Sequence, residues 1–582
     1  MSVIPSRFWL RAISCLLVAC SAATAAADDV LKSVPDNALG VVVMNRIGET
    51  NDKIRGLALR LKVPPFDLLS TAKLTLGLQE GLDEKGSVAL AAVPSSPNGV
   101  PVMVSFVPTG DYAALLKQLK AEAGDGGIAT LSAGNKQFLA AQKDGYAVVV
   151  EDGNKATLQA VIAADKSIAA ASPALDAWRA EADAYAVATP AGVKFAQQQI
   201  QVGLQVAKSQ MANMGEQGKM ALAGLSMYDG LVAAMDKEIQ HSAIGIRIAD
   251  DGGIHVVSRT LPVEGGTLAQ LAAQAKPPKA SPLAGLPQSP YFIAGGGVMT
   301  AASMKSWMNA SFGMMRMYPG GDKLSDEDIK QLSKTAVKSM QGLRSMGLLM
   351  GVGEGDEPLY GRMLLVMKTK DAKAYLEQYE ASLTEMRKVF EKADSKLFSF
   401  ETQRMEIDGL PVLKLTMDME PFLGGQAQGP EAQKMLELML GSGGKMDVYL
   451  AAADQQTVIG AYVTPKQLTP AVKAIQEGKP QLADEAGVAQ TVAMLPKGAQ
   501  WLGFLSPRGA AAFVSRLVTT VTPPGVPVPN IPEFPETAPI GFGVQLSTSG
   551  LDTDLVVPAA VLEAVSQTVR KAIAEQRGKP EA

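Results

Sequence analysis

The feature that most restricts the fold of this 582-residue chain is that its second half repeats, in order, segments of its first. "MVSFVPTGDYAALLKQL" at 103–119 is matched without gaps by "MLLVMKTKDAKAYLEQY" at 363–379, aligning Met103/Met363, Thr109/Thr369, Asp111/Asp371 and Leu116/Leu376. "FLAAQKDGYAVVV" (138–150) is echoed by "YLAAADQQTVIGA" (449–461), and each leads into a helical pattern. "YAVATPAGV" (185–193) parallels "LGFLSPRGA" (502–510) through a shared Thr/Ser-Pro-x-Gly, and "IGIRIADDGGIHVV" (244–257) parallels "FGVQLSTSGLDTDLVV" (542–557). The openings "VPDNALGVVV" (34–43) and "LPQSPYFIAGG" (286–296) also correspond. Matching segments in one order predict an internal duplication, each copy a supersecondary assembly of the same design. The expected joint is the Pro-rich stretch 275–290, where proline opposes helix and sheet alike. The division expected is therefore a signal peptide at 1–27, a first half at 28–274, the joint, a second half at 291–576 and a short tail at 577–582.

Within each half the patterns are mixed. "SVALAAV", "VMVSFV", "AVVVED" and the Asp-Asp-Gly-Gly hairpin at 245–257 read as strands. Period-3.6 segments predict helices over Asp111–Ala121, Asn154–Ala164, Asp371–Val389 and Ala560–Glu575. Thr109 and Thr369 are expected to cap two of these, each with an acid in the first turn. Longer helical tracts are expected over about 193–239 and 301–346, whereas the seven prolines of 522–539 demand an extended segment. The expected class is α+β: two duplicated halves of strand–helix–β-hairpin units, with mostly antiparallel sheets and helices packed on one face.

The N-terminus carries Arg7 and Arg11, then a short apolar run and small residues, the order of a secretory signal. Ala25-Ala26-Ala27 before Asp28 is a cleavage site of the small-x-small kind. Leu17-Val18-Ala19-Cys20 also has the form of a lipobox, making Cys20 a candidate for lipid attachment. The expected location is outside the cytoplasm, periplasmic or extracellular, with membrane attachment only if Cys20 is acylated. Beyond the signal no run of 18 apolar residues predicts a membrane span. With both cysteines, Cys15 and Cys20, in the signal region, the folded part offers no disulfide, thiol nucleophile or cysteine-held metal. A formal charge of −4 without a basic cluster argues against nucleic acid as a partner.

Motifs for chemistry are sparse. The only two histidines, His241 and His255, flank one predicted hairpin and have no counterpart in the second half. Ser70 and Lys73 in "STAK" satisfy Ser-x-x-Lys, in which a lysine one helical turn along could deprotonate the serine, but no Lys-Thr-Gly strand accompanies them. Ser325 and Asp328 read as a capping box opening a helix. The compositional oddity is methionine, 27 residues, with clusters at Met211, Met214, Met220, Met227 and Met235 and at Met304, Met308, Met314, Met315 and Met317. Spacing such as that of Met304 and Met308 suits helix packing; a binding groove or a thioether copper site are the alternatives.

With its signal, its Val34-Pro35, Leu286-Pro287 and Leu495-Pro496 openings and its strand–helix–hairpin units, the whole chain resembles uncharacterised secreted bacterial proteins with duplicated α+β domains of unknown function. That resemblance implies no active site to carry over. The expectation is a non-catalytic exported binding or scaffold protein of the cell envelope, with an unidentified protein or small-molecule partner and no cofactor. The alternatives are a hydrolase working through carboxylates or the Ser70–Lys73 pair, and a Met-rich carrier of copper or a hydrophobic ligand.

Overall fold

The computed structural model describes residues 30–577 apart from 66, 77, 96–99, 134–135, 172–174, 213–224, 226–227, 231, 299–307, 309–311, 313–322, 394–398, 419–436, 442–444 and 523–530. The chain divides into two compact units. One takes the chain up to Gly203 with Leu231–Ala272 and Thr548–Asp552; the other takes Leu204–Gly230, Ala273–Ser547 and the chain from Thr553.

The first unit holds β1 (Gly40–Met44), β2 (Val88–Val93), β3 (Val102–Pro108), β4 (Glu122–Ala123), β5 (Ala129–Ala133), β6 (Lys136–Lys143), β7 (Tyr146–Glu151), β8 (Ala184–Ala188), β9 (Ile239–Ile248) and β10 (Ile254–Pro262). They pair antiparallel in the order β10-β9-β8-β1-β2-β3-β7-β6-β5-β4. The β6–β7 turn is Asp144-Gly145, both at positive φ (46° and 80°), as a two-residue hairpin loop matched to strand twist requires.

The second unit holds β11 (Ile293–Val298), β12 (Leu343–Gly351), β13 (Arg362–Thr369), β14 (Phe400–Ile407), β15 (Leu410–Asp418), β16 (Lys445–Ala452), β17 (Thr457–Tyr462), β18 (Trp501–Leu505), β19 (Ile540–Ser547) and, from Thr553 onward, β20 (Gly550–Val557). Their order is β20-β19-β18-β11-β12-β13-β17-β16-β15-β14. Adding ten to each strand number of the first order gives the second. The repeated sequence segments fall at corresponding places: β6–β7 and β16–β17, β8 and β18, β9–β10 and β19–β20.

Helices cover both faces of the sheet in each unit, not one as expected. In the first, Ala89, Phe106 and Val148 join a core with Leu158 and Val161 of helix Lys155–Ala163, while their neighbours Val88, Val107 and Ala147 join another with Ile47, Leu82 and Leu115. In the second, Leu364, Val366 and Ile459 pack with helix Leu468–Gln476, and Met367, Leu450 and Val458 with helices Asp326–Ser339 and Ala372–Lys392. The reason lies in the strands themselves: "VALAAV" of β2 and "TVIGAY" of β17 lack polar alternation and are buried on both sides.

Other expectations also change. The N-caps are Asp111 and Asp371, whose carboxylates accept from the Ala114 and Ala374 amides. Thr109 and Thr369, two residues earlier, are buried and donate instead to the Gly81 and Gln456 carbonyls. The helical tract placed over 301–346 resolves, where described, into helix Asp326–Ser339 with the expected Ser325 capping box, followed by strand β12 from Leu343. Likewise the 193–239 tract contains helix Pro190–Ala212 and ends at β9, which starts at Ile239. Part of the expected joint is packed: Leu283 and Leu286 are fully buried in the second unit, and Pro287 bridges to Gln481. Of the proline tract, 523–530 lies outside the described residues; 531–539 forms neither helix nor strand.

The shared Thr/Ser-Pro-x-Gly acquires a physical meaning. Thr189 and Ser506 cap the helices Pro190–Ala212 and Pro507–Val521 by accepting from the amides of Gly192 and Gly509. In each case the glycine lets the helix start press against the backbone entering the unit's first strand. A Cβ on Gly192 would stand 1.7 Å from the Leu39 carbonyl oxygen, and one on Gly509 would stand 2.0 Å from that of Tyr291.

Candidate binding faces

The Ser70–Lys73 pair and the two histidines lie on separate elements, helix Leu68–Leu76 and the β9–β10 hairpin. Lys73 ion-pairs with Glu84 (2.6 Å), and the Ser70 amide donates to the Asp67 carboxylate at the start of helix Leu68–Leu76, so the lysine is committed to a carboxylate. His241 and His255 are both buried on the core-facing side of the β9–β10 hairpin. Cys20 and the segment 1–27 expected to be a signal lie outside the described residues, as do Met214, Met220, Met227, Met304, Met314, Met315 and Met317. Met308 is in the core beside Phe312, and Met211 and Met235 are half-buried. Among the described residues no group of three or more His, Cys, Asp or Glu side chains is placed to hold a metal ion, and no helix is long and apolar enough to cross a membrane.

Charged groups instead form closed local knots. Around Glu357, Arg362 donates through Nε (2.9 Å) and also grips both oxygens of Glu354 (2.6 and 2.9 Å), while Lys466 and the Glu354 amide complete the set. Burial opposes the charged form of Glu357, but these donors outweigh it and bring its carboxyl down to about 2. The knot organises the loop between β12 and β13. Because Glu357 is depressed from its ordinary 4.5, its contribution to stability is complete above that value and is lost as pH falls through it towards 2. Melting temperature should therefore decline over that interval, and Glu357→Gln should flatten the decline; an unchanged acid limb would contradict the knot. Asp447 is held similarly by Thr416, Lys414 and Tyr449: burial disfavours its charge, and the three hydrogen bonds lower its pKa nonetheless.

A cavity of about 270 Å³ in the first unit is lined by Pro35, Asp36, Asn37, Val93 and Thr157 among others. Asp36 is the only acid among the described residues of its lining.

The unexpected feature is apolar. In the first unit Val42 of β1, Ala186 of β8 and Ile244 of β9 stand side by side, with Met44, Ala184 and Ile246 in the next row. They point away from the face that packs Val41, Val43, Tyr185 and Ala243. Ile244 is 52% exposed and Ile246 46%, and Val42 is also exposed. In the second unit the corresponding strands repeat the arrangement. Ile293 lies beside Leu505 and Ile540, Gly295 beside Gly503 and Phe542, and Gly297 beside Trp501 and Val544. Ile293, Leu505, Phe542 and Trp501 are exposed, while Ala294, Leu502 and Phe504 face the core. The Trp501 ring lies over Gly297, where any Cβ would overlap it. Aligned exposed apolar residues of this kind mark surfaces that meet a partner or ligand.

Comparison with family models, with curated proteins and with solved structures returns no match for the chain.

Proposed function

We propose that this is an exported, non-catalytic binding or scaffold protein of the cell envelope, built from two copies of one ancestral unit. The observation that carries the binding reading is the exposed apolar face at the same three strands of each unit, β1-β8-β9 and β11-β18-β19. The common ten-strand order and the paired Gly192 and Gly509 support the duplication. The N-terminal signal pattern supports export, with Cys20 as the point of attachment if a lipid is added.

Titration of the full mature protein with anilinonaphthalene sulfonate tests the faces. Val42→Ser with Ile244→Ser, and Ile293→Ser with Phe542→Ser, should each lower the bound probe several-fold while leaving the melting temperature within a few degrees. Undiminished probe binding in both pairs would remove the faces from the proposal. The same surfaces favour a second reading, a carrier of a hydrophobic ligand. Saturable uptake of a dodecyl-chain probe at one site per face would select the carrier; its absence, with probe binding retained, would select docking of a protein surface. Intact mass of the mature N-terminus tests export and anchoring together: Asp28 free means soluble, acylated Cys20 means anchored, and an uncleaved chain opposes export.

A further inference from the structure

Both histidines of the chain sit on one hairpin, on the same face, and both are at least nine-tenths buried. His255 lies directly across from Arg247, whose Nη2 is 3.0 Å from the histidine Nδ1. A guanidinium has donors only, so Nδ1 must present its lone pair, and the imidazole is the neutral Nε2–H tautomer. Protonation would put a hydrogen on Nδ1 and turn the bond into a contact between two donors and two positive charges, with the ring buried and the guanidinium only partly exposed.

We propose that the β9–β10 hairpin is a proton-sensitive element of the first unit, which opens when His255 takes up a proton and can no longer accept the hydrogen bond of Arg247. The charged surroundings favour this. Arg247 on β9 is held from its other side by Glu181 (3.1 Å), at the end of helix Asp176–Glu181. Asp251 in the hairpin turn is the one group that favours the protonated ring, and Arg60 of helix Ile47–Arg60 binds the carbonyls of Asp250 and Asp251, adding positive charge at that end. Burial, then Arg247, lower the His255 pKa, with Asp251 opposing.

At the other end of the same face, His241 stands across from Leu261, and neither ring nitrogen has a hydrogen-bond partner among the described residues. The next charged residue on that face, Arg259, is ion-paired with Asp552 (2.6 Å). His241 is thus a second group that must stay neutral for the hairpin to stay packed, and burial lowers its pKa too. Ile244 and Ile246 of the candidate binding face project from the opposite side of β9, so opening would disturb that face. Only this consequence rests on the binding reading.

The sign follows from linkage. A histidine depressed in the folded state contributes stability that is complete above its ordinary value near 6.5 and is lost as pH falls through that value. Amide exchange of the full mature protein, followed by mass spectrometry between pH 7.5 and 5 and corrected for intrinsic rates, reads the opening. The hairpin peptides should open progressively more as pH falls, while the β6–β7 hairpin stays level. His255→Asn places an amide oxygen where Nδ1 was and cannot titrate, so its opening should rise less steeply than wild type by about tenfold per pH unit below about 6.5. Equal slopes in the two proteins, or a hairpin whose corrected exchange is flat, would overturn the proposal. If the variant does not fold, NMR titration of the His255 ring in the unaltered protein decides: a midpoint below 6.5 supports it, and one at or above 6.5 refutes it.

Discussion

Gly192→Ala should destabilise the first unit by about 3 kcal/mol or more, because the added methyl has no place to go. Its position 1.7 Å from the Leu39 carbonyl oxygen is occupied by backbone, which cannot swing aside as a long side chain would. The same backbone is fixed from three directions. Thr189 donates its amide to the Leu39 carbonyl and its hydroxyl to the Ala38 carbonyl (2.7 Å), and the Leu39 amide donates to Ala92 at the edge of β2 (2.8 Å). Either the helix withdraws from the strand entry and loses the Thr189 cap, or the strand entry shifts and the start of β1 is strained. In an unconstrained helix the same change would stabilise by roughly 1 kcal/mol, so the sign itself is diagnostic. Gly203→Ala, on the same helix with nothing within 4 Å of the new methyl, is the control and should be neutral or stabilising. Gly509→Ala should reproduce the loss in the second unit. Since two units need not unfold together, peptide-resolved amide exchange in urea is the suitable measurement. If Gly192→Ala matches the Gly203→Ala control, the close approach is not there.

Asp183→Ala should cost the first unit about 3 kcal/mol, because it removes a buried carboxylate that accepts both from the partly exposed Lys53 and from a backbone amide left without its acceptor. Its side chain is 3% exposed; one oxygen accepts from Lys53 (2.8 Å) and the other from the Ile248 amide (2.6 Å). Its own backbone joins the Asn45 amide to the Ile246 carbonyl, so the residue ties helix Ile47–Arg60, the start of β8 and the end of β9 together. Asn45 completes the knot by donating to the Arg179 and Ala182 carbonyls (2.8 Å each). Alanine at 183 would leave Lys53 with only the exposed Glu49 and the Ile248 amide without its acceptor. Asp183→Asn keeps an acceptor for the amide and loses only the charge, so its cost should be about half. Because the carboxylate is shielded from solvent, moderate salt should change the Asp183→Ala cost little. A cost under 1 kcal/mol would mean the knot is incidental to stability.

How much of this was legible in the residues depends on the range over which each feature is decided. The hairpin at 244–257 and the Ser325 capping box are local, fixed by neighbours a few residues away, and the structure has them where the sequence places them. The helix caps were misplaced by two residues because Thr109 and Asp111 are both acceptable cap residues. What distinguishes them is that the Gly81 carbonyl, 28 residues back in the chain, takes the threonine hydroxyl. The layer count was misjudged on "SVALAAV", which contains no polar alternation and can be buried on two faces; that signal was present and pointed away from a one-sided sheet. The apolar faces carried the same signal, in "GVVVM" of β1 and "WLGFL" of β18, but sequence cannot say which side a helix leaves bare.

By itself the sequence carried the matching order of similar segments, the hairpin turn at 244–257, the Ser325 helix start, and the kinds of chemistry for which residues exist. These follow from backbone preferences and contacts a few positions apart. Tertiary structure decided that both histidines are buried on one hairpin, that Lys73 answers to Glu84, that two glycines are points of helix–strand contact, and that matched apolar rows face outwards. Each depends on which elements the fold brings together, through helix–loop, helix–strand and strand–strand contacts, where the environment of a side chain is set by its neighbours in space.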